Sequence, residues 1–80
     1  MAESTMTAAY EFWEMDSGNL MDSFESQDEA RDALAEAIQR YGSGYADSIM
    51  LVCAHGTEST PLGSGQALGE QAMAEWLNRR

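Results

Sequence analysis

A short, uninterrupted run of apolar residues most constrains the fold of this 80-residue chain. Residues 48–54 have the sequence Ser-Ile-Met-Leu-Val-Cys-Ala. The run is shorter than a typical helix and is bounded by polar turn residues, so it predicts a β-strand that is apolar on both sides. Such a strand lies in the middle of a sheet and is covered on both faces. The rest of the chain is therefore expected to supply neighbouring strands and covering layers.

An aromatic segment near the start of the chain predicts a β-hairpin. Residues 10–15, Tyr-Glu-Phe-Trp-Glu-Met, favour a strand, and residues 16–19, Asp-Ser-Gly-Asn, favour a turn. Residues 20–25 return as the second arm, in which Asp22 would share the core-facing side with apolar neighbours. A bulge or an edge position in this arm would remove that conflict.

The strongest helix signal follows the hairpin. Ser26 and Glu29 have the S-x-x-E spacing of a capping box, in which two backbone N–H groups at the helix start find partners. Apolar side chains then recur at helical spacing from Ala30 to Tyr41. Gly42 favours the end of this helix, because glycine adopts the backbone conformation that a helix C-terminus often needs.

The remaining segments complete a predicted α+β domain. Pro61 limits a strand beginning near Leu62 to a sheet edge, and a glycine-rich turn then leads to a second helix over residues 66–78. The order is β-β-α-β-(β)-α, a small antiparallel sheet of three to four strands with two helices. We expect a disordered tail over residues 1–9 and a single domain over residues 10–80. One helix is expected on one face of the sheet, and the second helix or a second subunit on the other.

Acidic residues are concentrated in the first half of the chain. The formal net charge is −10, with no Lys; residues 1–36 hold ten acidic residues and one Arg, and residues 37–80 are nearly neutral. Binding to nucleic acid needs Lys and Arg on the contact surface, so this composition predicts no direct nucleic-acid binding. The chain has neither an apolar run long enough to span a membrane nor a signal-like start, so we expect no membrane association and a cytoplasmic location.

The charge asymmetry and the small size both suggest protein partners. An acidic surface favours a basic protein partner, with Glu14, Asp28, Asp32 and Glu36 as the predicted partner-binding residues. The alternative is a solvated surface that only keeps the protein soluble. A chain of this length buries only about 60–65% of its unfolded surface, which favours a homodimer. Trp13, Met50 and Trp76 are the predicted dimer or packing surface, because Trp and Met are favoured in interface cores.

Few residues are suited to catalysis. Cys53 and His55 are two apart on a strand and so share a face. A free Cys within an apolar run packs as a small hydrophobe, and no other Cys or His completes a metal site. We predict a non-enzymatic protein with no catalytic residues, metal or cofactor. The alternative is a small-ligand-binding protein or enzyme with a pocket between helix and sheet, near His55 and Trp13.

The first half of the chain resembles two groups of proteins. The aromatic strand, the turn at residues 16–19, the second strand and the Ser26-x-x-Glu29-Ala30 helix start resemble a set of small uncharacterised bacterial proteins, over roughly residues 10–40. The same pattern is similar, more weakly, to HicB-like antitoxins. That second resemblance implies a partial RNase H-like ββαβ fold that masks a small basic toxin, which is the alternative to a general interaction or regulatory module.

Overall fold

The computed structural model describes residues 8–79 and contains one four-stranded sheet and two α-helices. In chain order the elements are β1 (Ala9–Glu14), β2 (Asn19–Phe24), α1 (Gln27–Tyr41), a 3-10 helix (Ser43–Ala46), β3 (Ile49–His55), β4 (Glu58–Ser64) and α2 (Gly65–Asn78). All neighbouring strands are antiparallel, in the order β2-β1-β3-β4. The predicted α+β class and element order are confirmed, with the fourth strand present. Most of the predicted tail lies outside the described residues, and Ala9 begins β1.

The chain consists of two successive hairpin–helix units that the sequence does not show as a repeat. β1, β2 and α1 form the first unit, and β3, β4 and α2 form the second. The inner strands β1 and β3 pair with each other, so the units meet at the middle of the sheet. Each outer strand has a bulge that leaves one apolar residue unpaired, Met21 in β2 and Leu62 in β4.

The bulge in β2 resolves the conflict that the sequence posed there. Phe12 pairs with Asp22 and Trp13 pairs with Leu20, so the extra residue between them reverses the alternation of side chains. Leu20 therefore lies on the opposite face of the sheet from Asp22. β2 is also an edge strand, where the Asp22 side chain stays exposed to solvent.

One face of the sheet packs against both helices and forms the core. The cluster of buried residues joins the two inner strands to both helices: Phe12, Ile49 and Leu51 from the sheet, Ala30 and Leu34 from α1, Ala46 from the 3-10 helix, and Leu68 and Ala72 from α2. Alanine at the contact positions lets the helices approach the strands closely. Of the two covers expected for the second face, α2 is therefore wrong, because both helices lie on the same face.

The start and end of α1 follow the capping signals. Ser26 is the N-cap residue, and its Oγ accepts a hydrogen bond from the backbone N–H of Glu29 at 3.1 Å. Gly42 is the C-cap with φ of 102°, a conformation that L-residues with side chains rarely adopt. Within the described part of the chain, neither α-helix has the length and apolar content needed to cross a bilayer.

The two helices run antiparallel and are joined by an ion pair. Arg31 Nη1 in α1 donates to Glu75 Oε2 in α2 at 2.8 Å, and the Arg31 side chain is only 12% exposed. Gln71 accepts a second hydrogen bond from the same guanidinium. This contact links α2 to α1 along their shared side.

Candidate functional site

The second face of the sheet is covered by no helix within residues 8–79 and is called here the open face. Side chains alternate along each strand and paired residues share a face. The open face consists of Ala9, Glu11 and Trp13 in β1, Leu20 and Ser23 in β2, Met50, Val52 and Ala54 in β3, and Ser59, Pro61 and Ser64 in β4.

One end of the open face is apolar and aromatic. Leu20, Trp13 and Met50 are direct cross-strand neighbours in one row. Trp13 and Met50 are half-buried, whereas Leu20 keeps 49% of its surface exposed. In the next row Val52 lies on the inner strand and is buried. An apolar row of this size on a face without a helix is typical of a surface that packs against another layer.

Trp13 is held across the sheet by a hydrogen bond. Its indole Nε1 donates to Glu11 Oε1 at 3.0 Å, two residues away on the same face. The bond gives the indole N–H a partner and directs the side chain along its own strand. Glu11 is the one charged residue among those that define the open face, and this contact also provides its carboxylate with a donor.

Exposed serines lie beside this apolar row on the two edge strands. Ser23 lies on β2, and Ser59 and Ser64 lie on β4; all three are exposed. An apolar row rich in Trp and Met, with exposed polar residues beside it, has the composition found in protein–protein interfaces. The open face is therefore suited to binding a complementary protein surface.

The structure divides the predicted dimer or packing residues between two surfaces. Trp13 and Met50 pair directly on the open face. Trp76 lies in the helical layer, where it lines a shallow surface cavity with Glu36, Gln39 and Arg40. The three residues therefore do not form one surface.

The predicted acidic residues are also divided. Asp28, Asp32 and Glu36 follow each other at four-residue spacing along α1. Arg79, just after α2, forms ion pairs with Asp32 and, at 3.8 Å, with Asp28. Glu14 lies at the end of β1, distant in the chain from α1, where it accepts a hydrogen bond from Ser17 in the hairpin turn.

His55 and Trp13 do not share a pocket. His55 is the last residue of β3 and points to the face that packs against the helices, whereas Trp13 points to the open face. Trp13 also pairs with Met50 near the other end of β3. The expected pocket formed by these two residues is therefore wrong in its geometry. Cys53 is half-buried opposite Tyr10, on the same face as His55.

Two of the other cavities lie against the helices. One of about 130 Å³ lies between α1 and the β1–β2 hairpin, next to Phe12, Asp22 and Tyr45. It is smaller than the several hundred Å³ typical of ligand sites. A second, of about 370 Å³, is an open apolar groove beside α2, lined by residues that include Met73 and Leu77. Neither cavity brings together several titratable groups.

Metal ligands are not gathered in the described part of the chain. Within residues 8–79, no three His, Cys, Asp or Glu side chains are placed to hold a metal ion. Comparison of the chain with protein-family models, with curated proteins and with solved structures found no match.

The sequence carries a signal for the open face in the apolar run of residues 48–54. Trp13 and Met50 were predicted as packing residues, but Leu20, Val52 and Ala54 were not. Alternate positions of the apolar run, Met50, Val52 and Ala54, all point to the open face. The run therefore indicates a strand with two apolar faces, while the structure shows which of them the helices leave uncovered.

Proposed function

We propose that this chain is a non-enzymatic protein-interaction module and that the open face is its binding surface. The observation that supports this is the composition of β3, which is apolar on both faces although helices cover only one. An antiparallel strand with one face in water normally alternates apolar and polar side chains. Met50, Val52 and Ala54 break that alternation on the uncovered side.

The open face is also rigid, which favours binding. The open face is built on the two inner strands of a hydrogen-bonded sheet, so its backbone is fixed before any partner binds. Trp13 is already held by Glu11, so little further side-chain freedom is lost on binding. Tryptophan is also among the residues that contribute most to binding energy when buried in an interface. Trp13 is therefore the proposed anchor of the surface.

Site-specific photo-cross-linking tests this proposal. A photoreactive amino acid replaces Leu20 on the open face or, as the matched control, Leu77 on α2; these leucines are 49% and 60% exposed. The full-length chain is irradiated in the cells that encode it. We expect a discrete protein adduct from position 20 and none, or a diffuse background, from position 77. Adducts of equal yield at both positions, or none at position 20, would contradict the proposal.

The helical layer supports a second proposal, a basic partner bound by α1. Asp28 keeps 76% of its side chain exposed, and Glu36 is exposed one helical turn beyond Asp32. Arg79 offsets part of this charge. Masking of a small basic protein by an antitoxin of the HicB-like kind is one form of such binding.

Charge reversal separates this second proposal from the first. Asp28→Lys with Glu36→Lys should abolish binding to a basic partner, because attraction becomes repulsion. Glu58→Lys with Glu70→Lys makes the same change in net charge at exposed positions off the α1 stripe and serves as control. The α1 proposal fails if no small basic protein is encoded beside this gene, or if one is and it binds both double variants equally well or fails to bind the original chain.

A further inference from the structure

We propose that the occupant of the open face is a second copy of this chain, packed face to face. This inference rests on the proposed function, because it names the partner of the same surface. Two copies related by a two-fold axis would each contribute the same apolar row, Leu20, Trp13 and Met50. The product is a four-layer particle with helices outside and two sheets inside, separated by about 10 Å as in other packed sheets.

The charge distribution makes the open face the surface on which two copies of this acidic chain can meet. The chain has fourteen acidic and four basic residues in total. The residues that define the open face include one of these acids, Glu11, and none of the bases. Two molecules with net charge −10 repel each other at most orientations. The open face is a surface on which they can meet while most of their carboxylates point away from each other.

A basic partner would be recognised less well here. Its cations would face an apolar row and a single carboxylate that already accepts a hydrogen bond from Trp13. Burying unpaired Lys or Arg against apolar side chains is unfavourable. An identical open face instead presents leucine, tryptophan and methionine to the same residue types, beside matching serines on the edge strands. The chemistry of this surface is therefore self-complementary, as an isologous interface requires.

The open face is small, so the area that a dimer would bury there is also small. Four strands about 4.8 Å apart, with six residues at about 3.3 Å each, give a face of roughly 400 Å² in projection. Two such faces bury on the order of 800–1,000 Å² in total, at the lower end of specific interfaces. We therefore expect a dimer with a dissociation constant in the micromolar range, and not a permanent one.

Sedimentation velocity of the purified full-length chain, from about 1 to 500 µM, tests this inference. The original chain is expected to shift from monomer to dimer across this range. Leu20→Glu places a carboxylate in the apolar row and should weaken dimerisation at least tenfold. Leu77→Glu makes the same change at a similarly exposed leucine on α2 and should leave the dissociation constant within about twofold.

A second variant tests the same interface independently, in case Leu20→Glu does not fold. Ser59→Glu changes an exposed serine on edge strand β4, at the rim of the open face. It should weaken the dimer severalfold, and far-UV circular dichroism should show the fold of each variant intact. A chain that stays monomeric up to 500 µM would overturn the inference, and so would equal weakening by Leu20→Glu and Leu77→Glu.

The two proposals fail in distinguishable ways. If the chain is monomeric but position 20 cross-links to a different protein in cells, the open face is an interaction surface with another occupant, and the dimer is wrong. If the chain is monomeric and Trp13 fluorescence, isolated in a Trp76→Phe variant, resists quenching by acrylamide, residues of the same chain cover the face. That second result contradicts the dimer and the proposed function together.

Discussion

At the scale of single residues, Gly69 shows how closely the helical layer is packed. Glycine in a helix costs about 1 kcal/mol relative to alanine, so its presence in α2 needs a structural reason. A Cβ at this position would lie 3.1 Å from Ala46 Cβ and 3.2 Å from Ile38 Cδ1. Ala46 is fully buried and its methyl group cannot rotate away. Gly69 therefore sets the distance between α2 and the segment that follows α1.

We expect Gly69→Ala to lower the free energy of unfolding by about 1–2 kcal/mol, because crowding at the new methyl outweighs the gain in helix propensity. Gly63→Ala is the matched control, since its Cβ would meet Leu68 Cδ1 at 3.5 Å, an ordinary contact. That control should change stability by less than about 0.5 kcal/mol. Urea unfolding measures both, and an equal or greater stability of Gly69→Ala would show that the layer can expand at no cost.

At the scale of secondary-structure elements, the start of α1 was predictable because its signal is local. The hydrogen bond from the Glu29 backbone to Ser26 Oγ involves residues three apart in the chain. α2 begins after Ser64, whose side chain makes no capping hydrogen bond. Correspondingly, the prediction placed the start of α2 one residue late, at residue 66 instead of Gly65.

The two serines offer a direct comparison of these helix starts. Ser26→Ala should lower the free energy of unfolding by about 1 kcal/mol, the usual cost of losing an N-cap hydrogen bond. Ser64→Ala should change it by less than about 0.5 kcal/mol, because no such bond is lost. Thermal or urea unfolding gives both values. Equal losses at the two positions would mean that the Ser26 contact contributes nothing specific to α1.

The placement of both helices on one face was not predictable from the same local signals. It depends on contacts between residues far apart in the chain, such as Arg31 with Glu75. The apolar stripe of each helix shows that a face is buried, but not which side of the sheet buries it. For the same reason Trp13 and His55, both reasonable site residues in the sequence, end on opposite faces once β1 pairs with β3.

The Arg31–Glu75 ion pair is expected to stabilise the fold measurably. Glu75→Ala should lower the free energy of unfolding by roughly 1–3 kcal/mol, because it leaves the largely buried Arg31 guanidinium without its carboxylate. Glu70→Ala, an exposed change on the same helix, should cost less than about 0.5 kcal/mol. Urea titrations of the two variants provide the test. If their stabilities are the same, the Arg31–Glu75 pair does not hold the helices together.

At the scale of the whole molecule, the protein is a flat, two-layer plate. Its Cα atoms extend 44 × 33 × 17 Å, and the shortest dimension holds one sheet and one layer of helices. A flat plate leaves much of its surface uncovered relative to its small core. The acidic residues occupy mainly the helices, turns and strand ends, and the open face is left nearly uncharged. The flat shape and the low charge of the open face both favour this face as the place where a partner binds.

The dependence of dimerisation on salt follows from this charge distribution. Raising NaCl from about 20 to about 300 mM shortens the screening length from roughly 20 Å to less than 10 Å. Repulsion between two copies of net charge −10 then falls, so the dimer should tighten severalfold. Sedimentation at each salt concentration measures the change. Weakening of the dimer by salt would indicate that opposite charges hold the copies together, contrary to an apolar interface.

The most direct test of the central claim is an isotope-filtered NOE experiment on a mixture of methyl-labelled and unlabelled full-length chains. Such an experiment detects only contacts between different molecules. The account predicts cross-peaks from the methyl groups of Leu20 and Met50 of one copy to the Trp13 ring of the other. Intermolecular cross-peaks confined to Leu77 and Met73 on α2, or none at millimolar concentration, would contradict it.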